Sequence, residues 1–146
     1  MIAVTGATGH IGNVLVRQLY QKYRETEKIR VLVPPGETVE PLRGTLVEVC
    51  VCDVTDLASV LEGVRGADTV FHLAGVISIV QGKRELMERV NVRGTGNVLA
   101  AARQCGVRRV VYVSSVHAFV EPADGGVICE DTPVDPDRVL GDYART

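Results

Sequence analysis

Ile2-Ala3-Val4-Thr5-Gly6-Ala7-Thr8-Gly9-His10-Ile11-Gly12 opens the chain, and its reading decides the fold. Ile2 to Thr5 is a short apolar run that suits a buried strand. Beyond it Ile11, Val14, Leu15 and Leu19 recur at helical spacing up to a polar stretch near Tyr23,. Gly6, Gly9 and Gly12 therefore lie in the turn from a strand into a helix. Lacking side chains there serves three ends: reversing the chain, letting backbone approach a pyrophosphate, and packing helix closely on strand. The unpaired N–H groups of the first helical turn carry about half a positive charge toward such a ligand. Glycines alone would be a weak signal, but between a first strand and a helix, with a second strand about twenty residues on, they are strong.

The rest of the chain keeps switching period. Ile29 to Val33 is a second apolar run, stopped by Pro34-Pro35-Gly36, which neither a helix nor a central strand accepts. Leu46 to Cys52 is a third run, and its Cys50 and Cys52 alternate on one strand face. Asp56 is placed to cap a helix with Leu57, Val60, Leu61 and Val64 on its inner side and Gly63 or Gly66 near its end,. Thr69 to Leu73 reads as a fourth strand. A longer helix is expected from about Lys83 to Cys105, with Leu86, Val90, Val98, Leu99 and Ala102 inward and Gly106 just past its end. Val110 to Ser114 reads as the fifth strand, and from Phe119 onward the composition is that of a loop region. Alternating strands and helices imply parallel strands with right-handed crossovers, buried on both faces. The expectation is one α/β domain over residues 1–146, a Rossmann-like doubly wound parallel sheet of strand order 3-2-1-4-5, truncated before a sixth strand.

Bulk properties narrow the function classes. With 146 residues, 46% hydrophobic and 23% charged, the chain suits a globular domain burying roughly two-thirds of its extended surface. A net charge of −2 without runs of like charge points away from nucleic acid and from membrane surfaces. No apolar stretch nears the roughly 20 residues of a spanning helix, and none reads as a signal peptide ahead of the first strand. Cys50, Cys52, Cys105 and Cys129 form no disulfide or metal-site spacing,. A reducing, cytoplasmic setting and no metal site are expected.

The glycine spacing is G-x-x-G-x-x-G, and here the chain resembles the short-chain dehydrogenase/reductase superfamily, in its extended branch of epimerases, dehydratases and carbonyl reductases. The resemblance runs along essentially the whole chain: Thr5 to Gly12, Cys52-Asp-Val-Thr-Asp56, His72-Leu-Ala-Gly75, Asn91-Val-Arg-Gly-Thr-Gly-Asn97, Val113-Ser-Ser115 and Tyr143-Ala-Arg-Thr146. Each later motif is modest, but in this order they are specific. The resemblance implies a dinucleotide held by Gly6, Thr8, Gly9, His10, Ile11 and Gly12, with Asp53 and Val54 at the adenine and Leu73, Ala74 and Gly75 at the ribose and pyrophosphate. Asn91 matches the family asparagine of the fourth helix and is counted with the cofactor-binding residues; with Gly94 and Gly96, whose cost in a helix is about 1 kcal/mol each, it is also expected to serve close packing against the sheet or a partner helix. His72, in an apolar strand, is expected to be a satisfied core histidine, and His10 either touches phosphate or faces solvent.

Ser115 matches the serine that hydrogen-bonds the substrate oxygen, and Tyr143 the tyrosine that moves the proton. A phenol near pKa 10 must be brought toward neutrality for that work. In the family a lysine one helical turn further on does so, a position beyond Thr146. The resemblance thus implies that these residues are the cofactor-binding half of an NAD(P)-dependent oxidoreductase about twice as long, and that alone they bind dinucleotide without turnover. A homodimer is expected of the full-length protein, through its fourth and fifth helices. An acid just past the second strand favours NAD and a base NADP. Here Val33-Pro-Pro-Gly36 offers neither; the nearest acid is Glu37, Arg30 lies within the strand, and the arginine often found at the position of Pro34 is missing, so the lean is to NAD. The runs His72 to Ile79 and Ser114 to Phe119 look more like dihydroflavonol-reductase and hydroxysteroid-dehydrogenase-like carbonyl reductases, acting on a small molecule. A nucleotide-sugar epimerase or dehydratase, which commonly shows Tyr-Gly where this chain has Phe119-Val120, and a non-catalytic dinucleotide-binding module are the alternatives.

Overall fold

Five parallel strands form one sheet in the computed structural model, which describes residues 1–78, 82–122 and 125–146. The end of the His72–Ile79 run and two residues of the segment after Phe119 lie outside the described residues. The strands are β1 (Ile2–Thr5), β2 (Ile29–Val33), β3 (Glu48–Val51), β4 (Thr69–His72) and β5 (Arg109–Tyr112), in the order β3-β2-β1-β4-β5. This is the Rossmann-like order expected. β1 is central: Ile2 to Thr5 pair with Ile29 to Leu32 on one side and with Thr69 to His72 on the other. Helix α1 (His10–Tyr23) covers one face, and α2 (Leu57–Val64) and α4 (Thr95–Gln104) cover the other.

Alternation along the strands sorts the core into two layers. Ile2, Val4, Val31 and Val33 meet Val16 and Leu19 of α1; Ala3, Leu32, Cys52 and Val70 meet Val60, Val64, Val98 and Ala101 of α2 and α4. Each fully buried valine or leucine contributes about 1.5–3 kcal/mol. Cys50 and Cys52 share the second layer, as their alternation implied. Burial raises the Cys52 thiol to about 11, the behaviour of a small core hydrophobe.

Caps and turns follow the sequence closely. The Asp56 carboxylate accepts from Ala58 N at the start of α2. Gly106, at φ 69°, ends α4 with the paired bonds Gly106 N to Arg103 O and Val107 N to Ala102 O, a complete Schellman motif.

Differences fall at edges and on helix faces. β3 begins at Glu48, leaving Leu46 exposed, and β5 starts and ends earlier than Val110 to Ser114. Ile11 and Val14 of α1 point outward; Gly12, Leu15, Val16 and Leu19 form its inner face. The expected Lys83–Cys105 helix is α3 (Arg84–Met87), a π-helical segment (Glu88–Gly94) and α4. Leu99 is exposed, and Met87 and Ala101 are buried where it was expected to be. Gly94 is closely packed, a Cβ there lying 2.9 Å from Val54 Cγ2, but Gly96 has open space around it, so only the first glycine serves packing.

The glycines of the first turn differ as sharply. At Gly12 a Cβ would overlap the Gly6 carbonyl oxygen and lie 2.8 Å from Gly6 C and 2.9 Å from Ala7 Cα, all backbone. Gly12→Ala is therefore expected to destabilise the domain by about 3 kcal/mol or more, and Gly96→Ala to stabilise it by about 0.5–1 kcal/mol. Urea unfolding of the two variants checks this; a Gly12→Ala protein as stable as wild type would refute the close-packing argument.

Candidate functional site

The carboxyl ends of β1, β4 and β5 converge on a cleft of about 550 Å³, the side where open parallel sheets place ligands. Its walls bring together Gly6, Gly9, His10, Ile11 and Gly12; Leu73, Ala74 and Gly75; Asn91; and Ser115 and Tyr143. Two other surface depressions, around Tyr20 and Leu46 and along Arg84 and Arg93, contain none of these residues.

The first wall is a helix end kept open. Gly9 precedes α1 in extended conformation and has no side chain to cap the helix. The first turn carries no acid, and the first helical bond is Asn13 N to Gly9 O at 2.9 Å. The amides of His10, Ile11 and Gly12 thus keep the unpaired character of a helix start. Asn13 Nδ2 also donates to Gly9 O at 2.7 Å and to His10 O at 3.1 Å, which stiffens the turn. Gly6 takes φ 64°, and a Cβ there would lie 2.6 Å from Leu73 C and 2.7 Å from Ala74 N. Its glycine identity is set by both chain reversal and contact with the second wall.

That second wall is anchored by a buried polar chain. Parallel register puts Thr5 beside His72. The Thr5 hydroxyl accepts from Leu73 N at 3.2 Å and Ala74 N at 3.1 Å. Its proton is then directed to His72 Nδ1, 2.7 Å away. Nδ1 is thereby an acceptor, so the neutral ring carries its proton on Nε2 and donates to Thr95 Oγ1 at 2.9 Å,. His72 is 1% exposed, and burial pushes it down to about 4,. It is a satisfied core histidine, as its strand setting implied, and it locks the ends of β1 and β4 to α4.

Helical residues tie down the neighbouring loops. Asn91 accepts from Val76 N at 2.7 Å and donates to Val76 O at 3.0 Å and to Thr146 Oγ1 at 3.2 Å. It lines the cleft, but its amide is committed to protein. It sits in the π segment, a form often found at functional sites. Asn97 Nδ2 donates to Val54 O at 2.9 Å, holding the loop after β3.

Thr8, Asp53 and Val54 are not among the residues lining this cleft. Thr8 Oγ1 donates to Glu37 Oε1 at 3.3 Å, which brings the acid beyond β2 to the glycine turn. Asp53 Oδ1 accepts from Thr55 N and Thr55 Oγ1 at 2.9 and 2.8 Å in a local turn, while Val54 is buried against Gly94. Arg30 is spent elsewhere, on Glu48 and the Gly63 and Arg65 carbonyls closing α2.

Ser115 caps the 3-10 turn Val116–Ala118, its hydroxyl oxygen accepting from His117 N at 3.3 Å, so its own proton is left to donate. Tyr143 lies on a short helix, α5 (Asp142–Arg145), its ring edge-to-face with His117. Sequence reading assigned no role to Thr5, Thr95 or Asn97, or to the lining residues Ile77, Tyr112 and Ala118. Those roles depend on register and helix phase; only the polar side chains within the Asn91–Asn97 motif signalled them.

Fold and cleft define a Rossmann-type domain of the short-chain dehydrogenase/reductase class. A model of the 3-beta hydroxysteroid dehydrogenase/isomerase family matches residues 3–136, and the chain belongs to that family. Sterol demethylase protein B of Methylococcus capsulatus is 38% identical over 98% of this chain and 42% of its own length. A putative dihydroflavonol 4-reductase of Synechocystis is 33% identical over 98% of this chain and 40% of its own. The crystal structure of a short-chain dehydrogenase/reductase superfamily protein from Agrobacterium tumefaciens with bound NAD superposes with TM-score 0.80 at 29% identity, over 99% of this chain and 40% of that one. The chain spans about two-fifths of the length of these relatives.

The His72 chain gives a pH prediction. With the folded ring at about 4 and an unfolded one near 6.5, the unfolded chain takes up this proton first. The stability it provides is full above about pH 6.5 and declines as pH falls toward 4, by about 2–3 kcal/mol at pH 4.5. Urea midpoints at pH 7 and 4.5 should separate wild type from His72→Gln by this difference in slope. Equal slopes would overturn the neutral, buried assignment.

Proposed function

We propose that this chain is the dinucleotide-binding part of an NAD-dependent oxidoreductase acting at a carbonyl or alcohol carbon of a small molecule. The observation that carries it is the single cleft lined by the open start of α1, the Leu73–Gly75 wall, Ser115 and Tyr143. A glycine turn that bound nothing would not require serine and tyrosine on the opposite wall.

The residues present suit a dinucleotide. The α1 amides offer a pyrophosphate donors without a competing cap, and a Cβ at Gly6 or Gly12 would fill the cradle. A nicotinamide bound there would give or take the hydride, according to whether a carbonyl is reduced or an alcohol oxidised. The chain's own part is to orient and to move a proton: Ser115 donates to the substrate oxygen, and the Tyr143 phenol gives or takes the proton there. Preference for NAD rests on Glu37, held at the glycine turn by Thr8, where a carboxylate repels a 2′-phosphate and accepts from a ribose hydroxyl. The similarity to a sterol-named relative and a dihydroflavonol reductase supports a carbonyl or alcohol substrate over a nucleotide sugar.

Two substitutions divide the claim. Gly9→Asp, which puts a negative charge at the α1 start, is expected to weaken NADH binding at least tenfold by fluorescence titration; unchanged affinity would refute the phosphate cradle. Tyr143→Phe is expected to leave NADH affinity within about twofold and to abolish turnover in the full-length enzyme, so surviving turnover would remove the tyrosine from its role. Cofactor choice is checked separately: NADH should bind at least tenfold tighter than NADPH, and Glu37→Gln should narrow that ratio. Equal wild-type affinities would end the NAD assignment.

A further inference from the structure

Thr146 lines the cleft with Asn91 and Tyr143, and its hydroxyl is bonded to both. Asn91 Nδ2 donates to Thr146 Oγ1 at 3.2 Å; Thr146 Oγ1 donates onward to Tyr143 O at 3.3 Å, where Thr146 N also arrives at 3.2 Å. The direction is dictated from Val76. Its N–H needs an acceptor and its carbonyl a donor, so Asn91 turns Oδ1 to the first at 2.7 Å and Nδ2 to the second at 3.0 Å,. Nδ2 has only protons to offer, so the hydroxyl accepts from it and keeps its own proton for the Tyr143 carbonyl. Asn91 is 7% exposed, which leaves its N–H groups little water to turn to. A continuous chain of bonds therefore runs from the loop after Leu73–Gly75, through one buried amide and one hydroxyl, to the backbone of Tyr143. The other ties of α5 lead elsewhere: Asp142 pairs with Arg84 at 3.7 Å, and Arg145 Nε donates to Val139 O at 3.3 Å.

We propose that Thr146 is a positioning residue for the phenol of Tyr143: its hydroxyl couples the backbone that carries the ring to the Leu73–Gly75 wall. This rests on the reading of Tyr143 as the proton-moving group. The single turn Asp142–Arg145 has too few internal bonds to fix its own place, so the phenol points where its backbone is fastened. Fastening it through Asn91 to the strand end that meets Gly6 puts the phenol and the glycine turn in one frame. Thr146→Val keeps the shape of the side chain and removes the hydroxyl. One N–H of Asn91 then loses its partner at Thr146, and Tyr143 O loses the hydroxyl while keeping the bond from Thr146 N.

The test compares Thr146→Val with Thr146→Ser, which keeps the hydroxyl. In the full chain, the proton NOE between the rings of Tyr143 and His117, edge-to-face with centroids 6.4 Å apart, reports where the phenol stands. Thr146→Val is expected to weaken it by about twofold or more and Thr146→Ser to keep it, with NADH affinity within about twofold of wild type in both. In the full-length enzyme, probed with NAD and a 3β-hydroxysteroid, Thr146→Val should lower kcat about tenfold at unchanged KM for NAD, and Thr146→Ser should retain it. An unchanged ring NOE or an unchanged kcat in Thr146→Val would overturn the proposal, and so would a Thr146→Ser protein as impaired as Thr146→Val. Failure of the underlying reading looks different: turnover that survives Tyr143→Phe removes the tyrosine from its role. A wild type inactive on the steroid counts against that alcohol, and the ring NOE then decides the role of Thr146 alone.

Discussion

The buried chain from Thr5 through His72 to Thr95 sets the geometry of everything at the carboxyl edge of the sheet. A hydroxyl has one proton and two acceptor positions, and Thr5 uses all of them, two on backbone amides and one on the imidazole. That full use fixes the tautomer of His72, which in turn orients Thr95 of α4. A buried polar group is costly unless paired, so the arrangement tolerates little drift. No buried side-chain nitrogen or oxygen among the described residues lacks a partner. The consequence is mechanical: Leu73 and Ala74 are held against Gly6 at a distance only a glycine allows.

The stretch from Asn91 to Asn97 completes that frame from the other side. Asn91 holds Val76 after β4, Gly94 admits Val54, Thr95 meets His72 and Asn97 holds the Val54 carbonyl. One helical strip therefore fastens the loops after β3 and β4 as well as the strand between. The π segment contributes to this. Its wider turn carries Asn91 into the cleft edge while α4 resumes with Val98, Ala101 and Ala102 toward the core. A uniform helix over these residues predicts Leu99 inward; the observed helix leaves it exposed.

What could be read from the sequence was what depends on local chemistry. Glycines that need positive φ or close approach, the Asp56 cap, the Gly106 stop and the valine-rich strands declare themselves in neighbouring residues, and from them the strand order followed. The first turn was legible because its glycines stand between two clear periodicities. Asp53 and Val54 were harder: sequence order places them at a strand end, while the Asp53–Thr55 turn and the packing of Val54 against Gly94 depend on contacts the sequence does not declare. The Thr8–Glu37 contact and the His72 tautomer were out of reach, since each depends on segments far apart in sequence meeting at a particular register.

The two walls of the cleft are built by different physics. The glycine-turn side is made of buried strand ends, a capless helix start and satisfied polar groups, all fastened to both core layers. The Ser115–Tyr143 side is made of a 3-10 turn and a four-residue helix, held among the described residues by a few hydrogen bonds, the His117–Tyr143 ring contact, the Arg84–Asp142 ion pair and the bridge Phe119 to Val134. Local stability follows buried apolar contact, so the first wall is the rigid one, preorganised before a ligand arrives. The second has less to hold it, and each of its contacts therefore weighs more in setting where serine and tyrosine point. On the function proposed, a phenol and a hydroxyl that meet the same substrate atom need tight mutual placement. On this wall the turn that Ser115 caps and the His117 ring standing on it join the two segments directly.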